Sequence, residues 1–599
     1  MGSVEPLMGN EAIARGAWEA GIGVAVAYPG TPSTEIVESL GRYPSGDLRA
    51  EWAANEKTAF DIATGASFAG RRALCAMKHV GLNVASDSLM SLTYLGVNAG
   101  LVVAVADDPG MHSSQNEQDT RIFARFACVP VLEPADAQEA LDYTRIAFEI
   151  SEEFATPVIL RSTTRLSHTR SPVHLGSRIR PRERRFPENP LRTVTLPAHA
   201  RANRPEVLAR EAKIGAWFDE SALTRIEPGD PELGVITVGL AYTYVREVLP
   251  AASILKLAAS WPLPKKAIAA FARSVGRLIV VEELEPLIEE QLRVMGFEVE
   301  GKVFFPRAGE LSPEILRRGF EKAGVLEPAA RRAGLSAESI PRPPLLCAGC
   351  PHMSSYMALR AVNARVCGDI GCYTLAAIEP LAAIDTCVSM GASIGNAVGL
   401  ALAGTEKRPI VATIGDSTFL HSGLPPLIDA VYMGADITVL ILDNQITAMT
   451  GGQHHAGTGR SLRGEPRPRV DFAALCRSLG VRWVRTVDSY DMGTLYQTVR
   501  EAAEYKGVSV IVANRPCVLD PVRIRGVPLE VDAETCVACQ MCMNLGCPAI
   551  SWDEAMYDGH HKVKIDAALC IGCTLCAQIC PSNCIRAPAS SDVEPVGAA

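Results

Sequence analysis

Apolar and polar runs alternate along the N-terminal part of the chain in a way that predicts repeated strand and helix pairs. Between about residues 20 and 165, the apolar runs are GVAVAYPG, ALCAMKHVG, LVVAVADDPG and PVIL, and helix-like runs such as NEKTAFDIATGASFAG lie between them. Strands that alternate with helices are typical of a parallel sheet covered by helices. The pattern therefore predicts a parallel α/β domain.

The same alternation returns twice further along the chain. Residues 233–325 contain LGVITVGLAYTYVREVL, RLIVVEELEPLIEEQL and KVFFP, which predict a smaller α/β domain. After the Pro-rich segment IPRPPLLCAGCPH, strands are predicted at PIVATIGD, ITVLILDN and VSVIVANRP, and each ends in a polar turn. Because open parallel sheets bind ligands at such strand ends, this third region is a candidate site.

A chain of 599 residues is too long for one hydrophobic core and is expected to contain several domains. We predict a parallel-sheet domain at 1–170, an extended linker at 171–230, a smaller α/β domain at 231–340, a second parallel-sheet domain at 341–525 and a cysteine-rich module at 526–599. The linker prediction depends on the run SRIRPRERRFPENPLRTVTLPAHARANRP, which has neither a helical nor a strand period. The fold class is therefore α/β with a C-terminal cysteine-rich module.

Composition and charge exclude several classes of protein. Hydrophobic residues make up 48% and charged residues 21% of the chain, which is typical of globular domains and not of disordered chains. The net charge of -9 provides no basic surface, so we expect no nucleic acid partner. The N-terminus lacks a signal-peptide pattern, and no apolar run is long enough to cross a bilayer. We therefore expect a cytoplasmic protein without membrane association.

The eighteen cysteines include closely spaced runs, which in a cytoplasmic chain indicate metal ligands or redox groups and not disulfides. The run CIGCTLCAQICP has the C-x2-C-x2-C-x3-C-P spacing of a bacterial two-cluster ferredoxin. The run CVACQMCMNLGCP has a similar spacing, except that its last cysteine comes five residues after the third. The cysteines of the two runs are Cys536, Cys539, Cys542, Cys547, Cys570, Cys573, Cys576 and Cys580. They predict a ferredoxin module with two iron–sulfur clusters.

A second chemical signal lies in VATIGDSTFLHSGLPPLIDAVYMGADITVLILDNQITAMTGGQ. One predicted strand ends in Gly415, Asp416 and Ser417, and the next ends in Asp443 and Asn444. Two neighbouring parallel strands bring a carboxylate and an amide oxygen to one edge of the sheet, where oxygen ligands and a diphosphate can surround Mg²⁺. The alternative is an ordinary strand–helix–strand unit in which Asp and Asn only form turns.

This arrangement resembles the diphosphate motif of thiamine diphosphate enzymes. The resemblance implies that Asp416, the Asn444 side chain and the main-chain carbonyl of Ile446 bind Mg²⁺. AYPGTPSTE at 27–35 and ANEKTAFDIATGASFAG at 54–70 resemble the pyrimidine-binding domain of 2-oxoacid:ferredoxin oxidoreductases. That match implies that Glu56 activates the aminopyrimidine ring and that Thr31 lies near the substrate. The alternative for Glu56 is a solvated helix glutamate.

The order of modules over essentially the whole chain resembles the alpha subunits of indolepyruvate ferredoxin oxidoreductases. In two-cluster modules the fourth cysteine of each run binds the other cluster. The resemblance implies one 4Fe–4S cluster on Cys536, Cys539, Cys542 and Cys580 and another on Cys547, Cys570, Cys573 and Cys576, with Cys584 as a spare buried thiol. A third cluster, beside the cofactor, is implied on Cys347, Cys350, Cys372 and Cys517, for which the alternative is ordinary buried cysteines.

The resemblance also implies a function. It indicates oxidative decarboxylation of arylpyruvates such as indolepyruvate and phenylpyruvate to aryl-acetyl-CoA and CO₂, with electrons passed to ferredoxin. It implies a smaller beta subunit, coenzyme A and a dimer of alpha–beta pairs. No nucleotide-binding GxGxxG follows a strand, so a nicotinamide acceptor is not expected. Oxidation of another 2-oxo acid, a non-oxidative thiamine diphosphate enzyme and a non-catalytic electron-transfer scaffold remain as alternatives. Candidate pocket residues in MKHVGLNVASD and PGMHSSQNEQDTR cannot be ranked from the sequence.

Overall fold

The computed structural model describes residues 3–182, 184–328, 344–520, 525–557 and 559–588. The chain divides into two compact units, Met1–Ser336 and Ala337–Ala599. The N-terminal and smaller α/β regions predicted from the sequence fall in the first unit, and the third α/β region and the cysteine-rich module fall in the second. The finer domain boundaries stay predictions. Within the described ranges, no helix combines the length and the apolar character needed to cross a membrane.

The N-terminal part of the first unit alternates strands with helices, as predicted. Its strands are β1 (Val4–Met8), β2 (Val24–Ala27), β3 (Arg49–Trp52), β4 (Ala73–Lys78), β5 (Leu101–Asp107), β6 (Val131–Leu132), β7 (Val158–Thr163) and β8 (Arg170–His174). Its helices are α1 (Gly9–Glu19), α2 (Thr34–Gly41), α3 (Glu56–Phe68), α4 (His79–Leu95), α5 (Thr120–Ala127), α6 (Ala137–Phe154) and α7 (Thr164–His168). The strands predicted at GVAVAYPG, ALCAMKHVG, LVVAVADDPG and PVIL are confirmed.

A mainly parallel sheet forms the centre of this region. β4 pairs in parallel with β2 and β5, and β7 pairs in parallel with β5 and β6. Every residue of β4, β5 and β7 is buried, because helices cover both faces of such a sheet. The ends of β2 and β4 therefore bring the loop after Ala27 and the first turn of α4 after Lys78 to one edge of the sheet, where a ligand can bind.

The segment predicted to be an extended linker requires correction. Residues 171–230 contain α8 (Pro190–Thr193), the 24-residue helix α9 (Pro197–Glu220) and β9 (Arg225–Glu227). α9 buries Val207 and Phe218, and it also buries Arg210, whose guanidinium donates to the carbonyls of Thr93 and Ala155. The helical period was not visible in the sequence because a buried arginine and an internal proline, Pro205, interrupt the apolar stripe.

The remainder of the first unit forms the predicted smaller α/β region. It contains β10 (Asp230–Val238), α10 (Ala241–Val248), β11 (Ala252–Leu257), β12 (Ala259–Trp261), α11 (Lys265–Arg273), β13 (Arg277–Val281), α12 (Leu287–Val294) and α13 (Pro313–Lys322). One sheet has the strand order β13-β10-β11-β9. β12 instead pairs antiparallel with β6, so the N-terminal sheet continues into this region.

The second unit is built on a parallel sheet with the strand order β14-β15-β16-β18-β17. Its elements are α14 (His352–Ala361), β14 (Arg365–Cys367), α15 (Ala392–Ala403), β15 (Ile410–Gly415), α16 (Asp416–Thr418), α17 (Leu424–Met433), β16 (Thr438–Asp443), α18 (Phe472–Ser478), β17 (Trp483–Asp488), α19 (Met492–Glu504) and β18 (Ser509–Asn514). The strands predicted at PIVATIGD, ITVLILDN and VSVIVANRP are confirmed as β15, β16 and β18. β15 and β16 are neighbours, as the candidate site requires.

The cysteine-rich module has little regular structure. Its elements are β19 (Glu530–Val531), β20 (Ile550–Tyr557), β21 (His560–Ile565), α20 (Leu575–Gln578) and β22 (Ile585–Arg586). β20 and β21 form an antiparallel hairpin, and β19 pairs antiparallel with β22. Most of the cysteines lie in the loops between these elements. The buried cysteines pack in one hydrophobic core with residues of α14, β16 and β18.

Candidate active site and electron-transfer centres

Glu56 is the first residue of α3 and is only 4% exposed. Asn55 begins the helix by accepting a hydrogen bond from Thr58 N at 2.8 Å. A Cβ atom on Gly81, in the first turn of α4, would lie 2.6 Å from Glu56 Cγ and Oε1. The missing side chain at Gly81 therefore lets the carboxylate lie against the helix backbone. The alternative of a solvated glutamate is wrong.

Thr31 lies in the turn between β2 and α2, close to the loop after β5. Ser113 Oγ donates to Thr31 O at 3.4 Å. Lys78 Nζ donates to Ser113 O at 3.3 Å, and a Cβ atom on Gly30 would lie 3.3 Å from Lys78 Cγ. The structure therefore brings the Gly30–Thr31 turn, the end of β4 and residue 113 together. Sequence reasoning did not single out Lys78, although a charged residue at the end of an apolar strand was a visible signal.

The Asp108 carboxylate, in the loop after β5, accepts several hydrogen bonds that fix this loop. It accepts bonds from Thr164 Oγ1 at 2.6 Å, Ser114 Oγ at 2.7 Å and Ser113 N at 2.8 Å. Burial alone would raise the pKa of Asp108, but the hydrogen bonds to Thr164, Ser113 and Ser114 lower it below its usual value. The charged carboxylate therefore holds residues 113 and 114 in place.

In the second unit, Asp416 and Asn444 lie at the ends of β15 and β16. Asp416 is 2% exposed, and its Oδ2 accepts from Gln445 N at 2.8 Å. The Nε2 atom of His455 lies 3.3 Å from the same oxygen. Gly415 donates its N–H to Tyr373 Oη at 2.9 Å, and a Cβ atom there would lie 2.8 Å from the Tyr373 ring. The glycine is therefore required by Tyr373, a residue that sequence reasoning missed.

Three polar atoms converge at this edge. One terminal atom of the Asn444 amide lies 3.2 Å from Asp416 Oδ1 and 2.8 Å from Ile446 O. As the amide nitrogen it donates a hydrogen bond to both oxygens, and as the amide oxygen it needs a cation bound between the three oxygens. Adjacent ligands of an octahedral Mg²⁺ ion are about 3 Å apart, given metal–oxygen distances of about 2.1 Å. The three atoms therefore fit the ligand set of a divalent cation. We call Asp416, Ser417, Asn444 and Ile446 the diphosphate edge.

The surroundings of the diphosphate edge are polar and buried. Thr447 Oγ1 donates to Ser417 Oγ at 3.0 Å. Burial and the neighbouring Asp416 carboxylate raise the pKa of Asp443 to about 6. Gly451 and Gly452 have φ angles of 115° and 96°, a conformation that favours glycine. The residues after β16 therefore include a tight turn at Gly451 and Gly452.

Four cysteines from three separate segments of the chain lie beside the diphosphate edge. We call Cys347, Cys350, Cys372 and Cys517 the proximal cysteines. Burial raises the pKa of the Cys350 thiol well above its usual value, and the other three thiols are near enough to raise it further. Cys517 N donates to Asn444 O at 3.0 Å. The structure therefore places this set next to a predicted metal ligand.

Two cavities in the ferredoxin module are lined by the remaining cysteines. The distal cavity is lined by Cys536, Cys539, Cys542, Cys580 and Cys584. The middle cavity is lined by Cys547, Cys570, Cys573 and Cys576. Each cavity thus contains the four cysteines that the resemblance implies for one cluster. Cys584 is buried, as expected, but it lies 3.4 Å from Cys580 Sγ in the distal cavity.

The three cysteine sets are close to one another. Ala348 and Gly349, between two proximal cysteines, line the middle cavity. A Cβ atom on Gly349 would lie 3.4 Å from Cys573 Cβ. The thiol of Cys542 in the distal cavity is near enough to raise the pKa of Cys576 in the middle cavity. Within the described ranges, no group of three or more His, Cys, Asp or Glu side chains is arranged to hold a metal ion.

Comparisons with known proteins agree with this division of the chain. Residues 15–210 match the family "Pyruvate flavodoxin/ferredoxin oxidoreductase, thiamine diP-bdg", residues 369–513 match "Thiamine pyrophosphate enzyme, C-terminal TPP binding domain", and residues 563–586 match "4Fe-4S binding domain". The three matches fall on the Glu56 region, the diphosphate edge and the ferredoxin module.

Relatives match the chain over nearly its full length. It is 44% identical to indolepyruvate oxidoreductase subunit IorA of Archaeoglobus fulgidus, over 98% of each chain. It is 43% identical to the subunit of the same name from Pyrococcus horikoshii, over 96% of this chain and 95% of that one. A solved 2-oxoglutarate:ferredoxin oxidoreductase from Magnetococcus marinus is 18% identical, with a TM-score of 0.46, over 53% of this chain and 65% of that chain. So distant a structural similarity adds nothing to the assignment.

The fold and the site define the chain as an oxidoreductase of the thiamine diphosphate and iron–sulfur class. It belongs to the 2-oxoacid:ferredoxin oxidoreductase family, among the IorA subunits of indolepyruvate oxidoreductases. The recognition made from the sequence is therefore confirmed. The alternatives of a non-oxidative enzyme and of a non-catalytic scaffold do not fit this family.

Proposed function

We propose that this chain is the thiamine-diphosphate-binding subunit of an enzyme that oxidises arylpyruvates to aryl-acetyl-CoA and CO₂ and passes the electrons to ferredoxin. The observation that supports this proposal most is that the diphosphate edge, the proximal cysteines and the middle cavity of the second unit contact one another in turn. The Asn444 carbonyl accepts a hydrogen bond from Cys517, and the loop between Cys347 and Cys350 lines the middle cavity. A cofactor at the diphosphate edge would therefore lie beside the first of three cysteine sets.

The residues present fit the groups that this function requires. Asp416 Oδ1, Asn444 Oδ1 and Ile446 O would hold Mg²⁺, which binds the cofactor diphosphate. Thiamine diphosphate, when bound, supplies the electron sink for decarboxylation of a 2-oxo acid. Glu56 would hydrogen-bond the aminopyrimidine ring and control its protonation, and its burial beside Gly81 excludes water from that carboxylate. Gly415 and Ser417 would line the diphosphate.

The proposal includes three 4Fe–4S clusters. The proximal cysteines would hold the first, the middle cavity the second and the distal cavity the third. The pKa effects between the thiols show that the members of each set are near one another. Cys539 is exposed, so the distal cavity reaches the surface where a ferredoxin can accept electrons. Clusters accept single electrons, so two one-electron transfers would complete each oxidation.

The arylpyruvate substrate is supported by the relatives' names and by an open cavity in the first unit. The cavity has a volume of about 510 Å³ and is lined by His79, Leu82, Asn83, Gln118, Asp119, Thr120, Ile122, Phe123, Phe126 and Glu285. Its apolar side chains suit an aromatic ring. It includes residues from MKHVGLNVASD and PGMHSSQNEQDTR, which the sequence alone could not rank.

A smaller beta subunit, coenzyme A and a dimer of alpha–beta pairs complete the proposal. The beta subunit is supported by relatives that are named as subunits. The test is an anaerobic assay with thiamine diphosphate, Mg²⁺, coenzyme A, a viologen dye and a panel of 2-oxo acids, with and without the co-expressed partner. We expect dye reduction with arylpyruvates, which depends on coenzyme A and on the partner. Release of CO₂ without dye reduction would contradict the proposal, and full activity of an isolated monomer would contradict the subunit arrangement.

A further inference from the structure

Lys78 is a buried lysine that lacks a carboxylate partner. It is the last residue of β4 and is 9% exposed. Its Nζ atom donates one hydrogen bond, to Ser113 O at 3.3 Å. Among the residues that the structure describes, Lys78 forms no ion pair. An ammonium group has three donors, and leaving them without strong acceptors in a buried site is costly.

The two carboxylates nearest to Lys78 have other partners. Asp108 accepts hydrogen bonds from Ser113, Ser114 and Thr164, as described above. Glu56 lies against Gly81 and is assigned to the cofactor ring in the proposed function. Burial lowers the pKa of Lys78, and the charges of Asp108 and Glu56 oppose this effect. Neither carboxylate forms an ion pair with Lys78 among the residues that the structure describes.

The position of the ammonium group is defined by its neighbours. The aliphatic part of Lys78 lies along Gly30, since a Cβ atom there would be 3.3 Å from Cγ and 3.4 Å from Cδ. Thr31, predicted to lie near the substrate, is the next residue, and its carbonyl accepts from Ser113 Oγ. Lys78 also directly precedes α4, a 17-residue helix whose N-terminal end adds partial positive charge. These features favour an anion beside the Gly30–Thr31 turn.

We propose that Lys78 binds the carboxylate of the 2-oxo acid substrate beside Thr31. The inference rests on the proposed function, because the 2-oxo acid is the anion that this function brings to the site. An ammonium–carboxylate hydrogen bond is charge-assisted and supplies the acceptor that Lys78 lacks. Decarboxylation removes this carboxylate as CO₂, so the contact positions the substrate before the reaction and is absent from the acyl product. Lys78 is thus a substrate-binding residue that discriminates 2-oxo acids from neutral analogues.

The first experiment separates substrate binding from turnover in the complex with the partner subunit. We expect Lys78→Gln to raise KM for phenylpyruvate about 10- to 100-fold, the range of a lost hydrogen bond to a charged group. KM for coenzyme A, iron content and thiamine diphosphate content should not change. Lys78→Arg should keep most of the affinity. The control is Lys322→Gln on the exposed face of α13, which should leave every value unchanged.

The second experiment tests whether Lys78 binds the negative charge of the ligand or only supports the loop at Ser113. Calorimetry would measure binding of 3-phenylpropionate and of its neutral amide, neither of which can be decarboxylated as a 2-oxo acid. We expect the wild-type complex to bind the acid at least about 10-fold more tightly than the amide, and Lys78→Gln to bind both alike. A structural role would weaken both ligands equally and preserve the ratio, which would overturn the inference.

The outcomes for the two proposals are distinct. An active wild-type complex whose preference for the acid survives in Lys78→Gln overturns the role of Lys78 alone. A wild-type complex that oxidises no 2-oxo acid overturns the proposed function and the Lys78 inference together. If Lys78→Gln does not fold, Lys78→Met keeps an unbranched chain against Gly30 and provides the same comparison.

Discussion

The diphosphate edge and the ferredoxin module position their side chains in different ways. At the diphosphate edge, β15 pairs in parallel with β16, from the Val411–Thr438 pair to the Gly415–Leu442 pair. β16 in turn pairs in parallel with β18. Asp416 and Asn444 follow directly from these buried strands. Their positions are therefore set by the sheet before any cofactor binds.

In the ferredoxin module, loops and not strands carry the cysteines. β19 and β22 have only two residues each. Ala538, Gln540 and Thr574, each next to a cysteine, have φ angles of 54°, 63° and 66°, which are unfavourable for residues other than glycine. Such conformations persist where the surroundings fix them, and a bound cluster contributes its binding energy to folding. The comparison teaches that one site is organised by its backbone and the other by the group it binds.

The largest expected effect comes from the diphosphate edge. Asp416→Ala should lower kcat by more than about 1,000-fold, which corresponds to about 4 kcal/mol, because it removes the carboxylate that we propose as a ligand of the cofactor's metal. Thiamine diphosphate content should fall, while iron content and the visible absorbance of the clusters stay unchanged. Asp429→Asn, on the exposed face of α17, is the control. Loss of iron from Asp416→Ala would show that the two regions depend on each other.

Glu56→Gln should give the next largest effect and separate proton control from cofactor binding. We expect a fall in kcat of about 100- to 10,000-fold, because an amide cannot accept the proton that a carboxylate accepts. Thiamine diphosphate and iron contents should match the wild type, in contrast to Asp416→Ala. Asp61→Asn, on an exposed part of the same helix, should be fully active. An unchanged rate in Glu56→Gln would remove this residue from the site.

Cys350→Ser tests whether the proximal cysteines bind a third cluster, in addition to the two clusters of the ferredoxin module. Three clusters require about twelve iron atoms per chain and two require about eight. We expect anaerobic metal analysis to give about twelve for the wild type and about eight for Cys350→Ser. Cys128→Ser, in the first unit, should keep about twelve. A wild-type value near eight that Cys350→Ser does not change would contradict the third cluster.

Cys584→Ser should have the smallest effect, although this thiol lies in the distal cavity. We expect iron content to stay at about twelve per chain and the free energy of unfolding to fall by about 1 kcal/mol, as for a typical buried substitution. Anaerobic metal analysis measures the iron content, and denaturant unfolding followed by circular dichroism measures the free energy of unfolding. A loss of about four iron atoms per chain would instead make Cys584 a ligand and would change the assignment of the distal cavity.

Much of the candidate site could be predicted because its signals are local in the sequence. Two apolar runs predict the strand ends at Asp416 and Asn444, and the spacing of the cysteines predicts cluster-binding loops. The helix α9 could not be predicted, because its burial depends on Arg210 bonding carbonyls more than fifty residues away. The contact between Gly415 and Tyr373 was also missed, since Tyr373 reaches the glycine from another segment of the chain.

By itself, the sequence determined the order of strands and helices, the two ferredoxin-type cysteine runs and the polar ends of β15 and β16, because each depends on residues that are close along the chain. Only the tertiary structure decided that Tyr373 bonds Gly415, that Cys584 enters the distal cavity and that Lys78 is buried without a carboxylate partner among the described residues. These facts depend on contacts between distant segments. The physical reason is that burial and electrostatic pairing are properties of the folded neighbourhood, which periodicity and spacing do not encode.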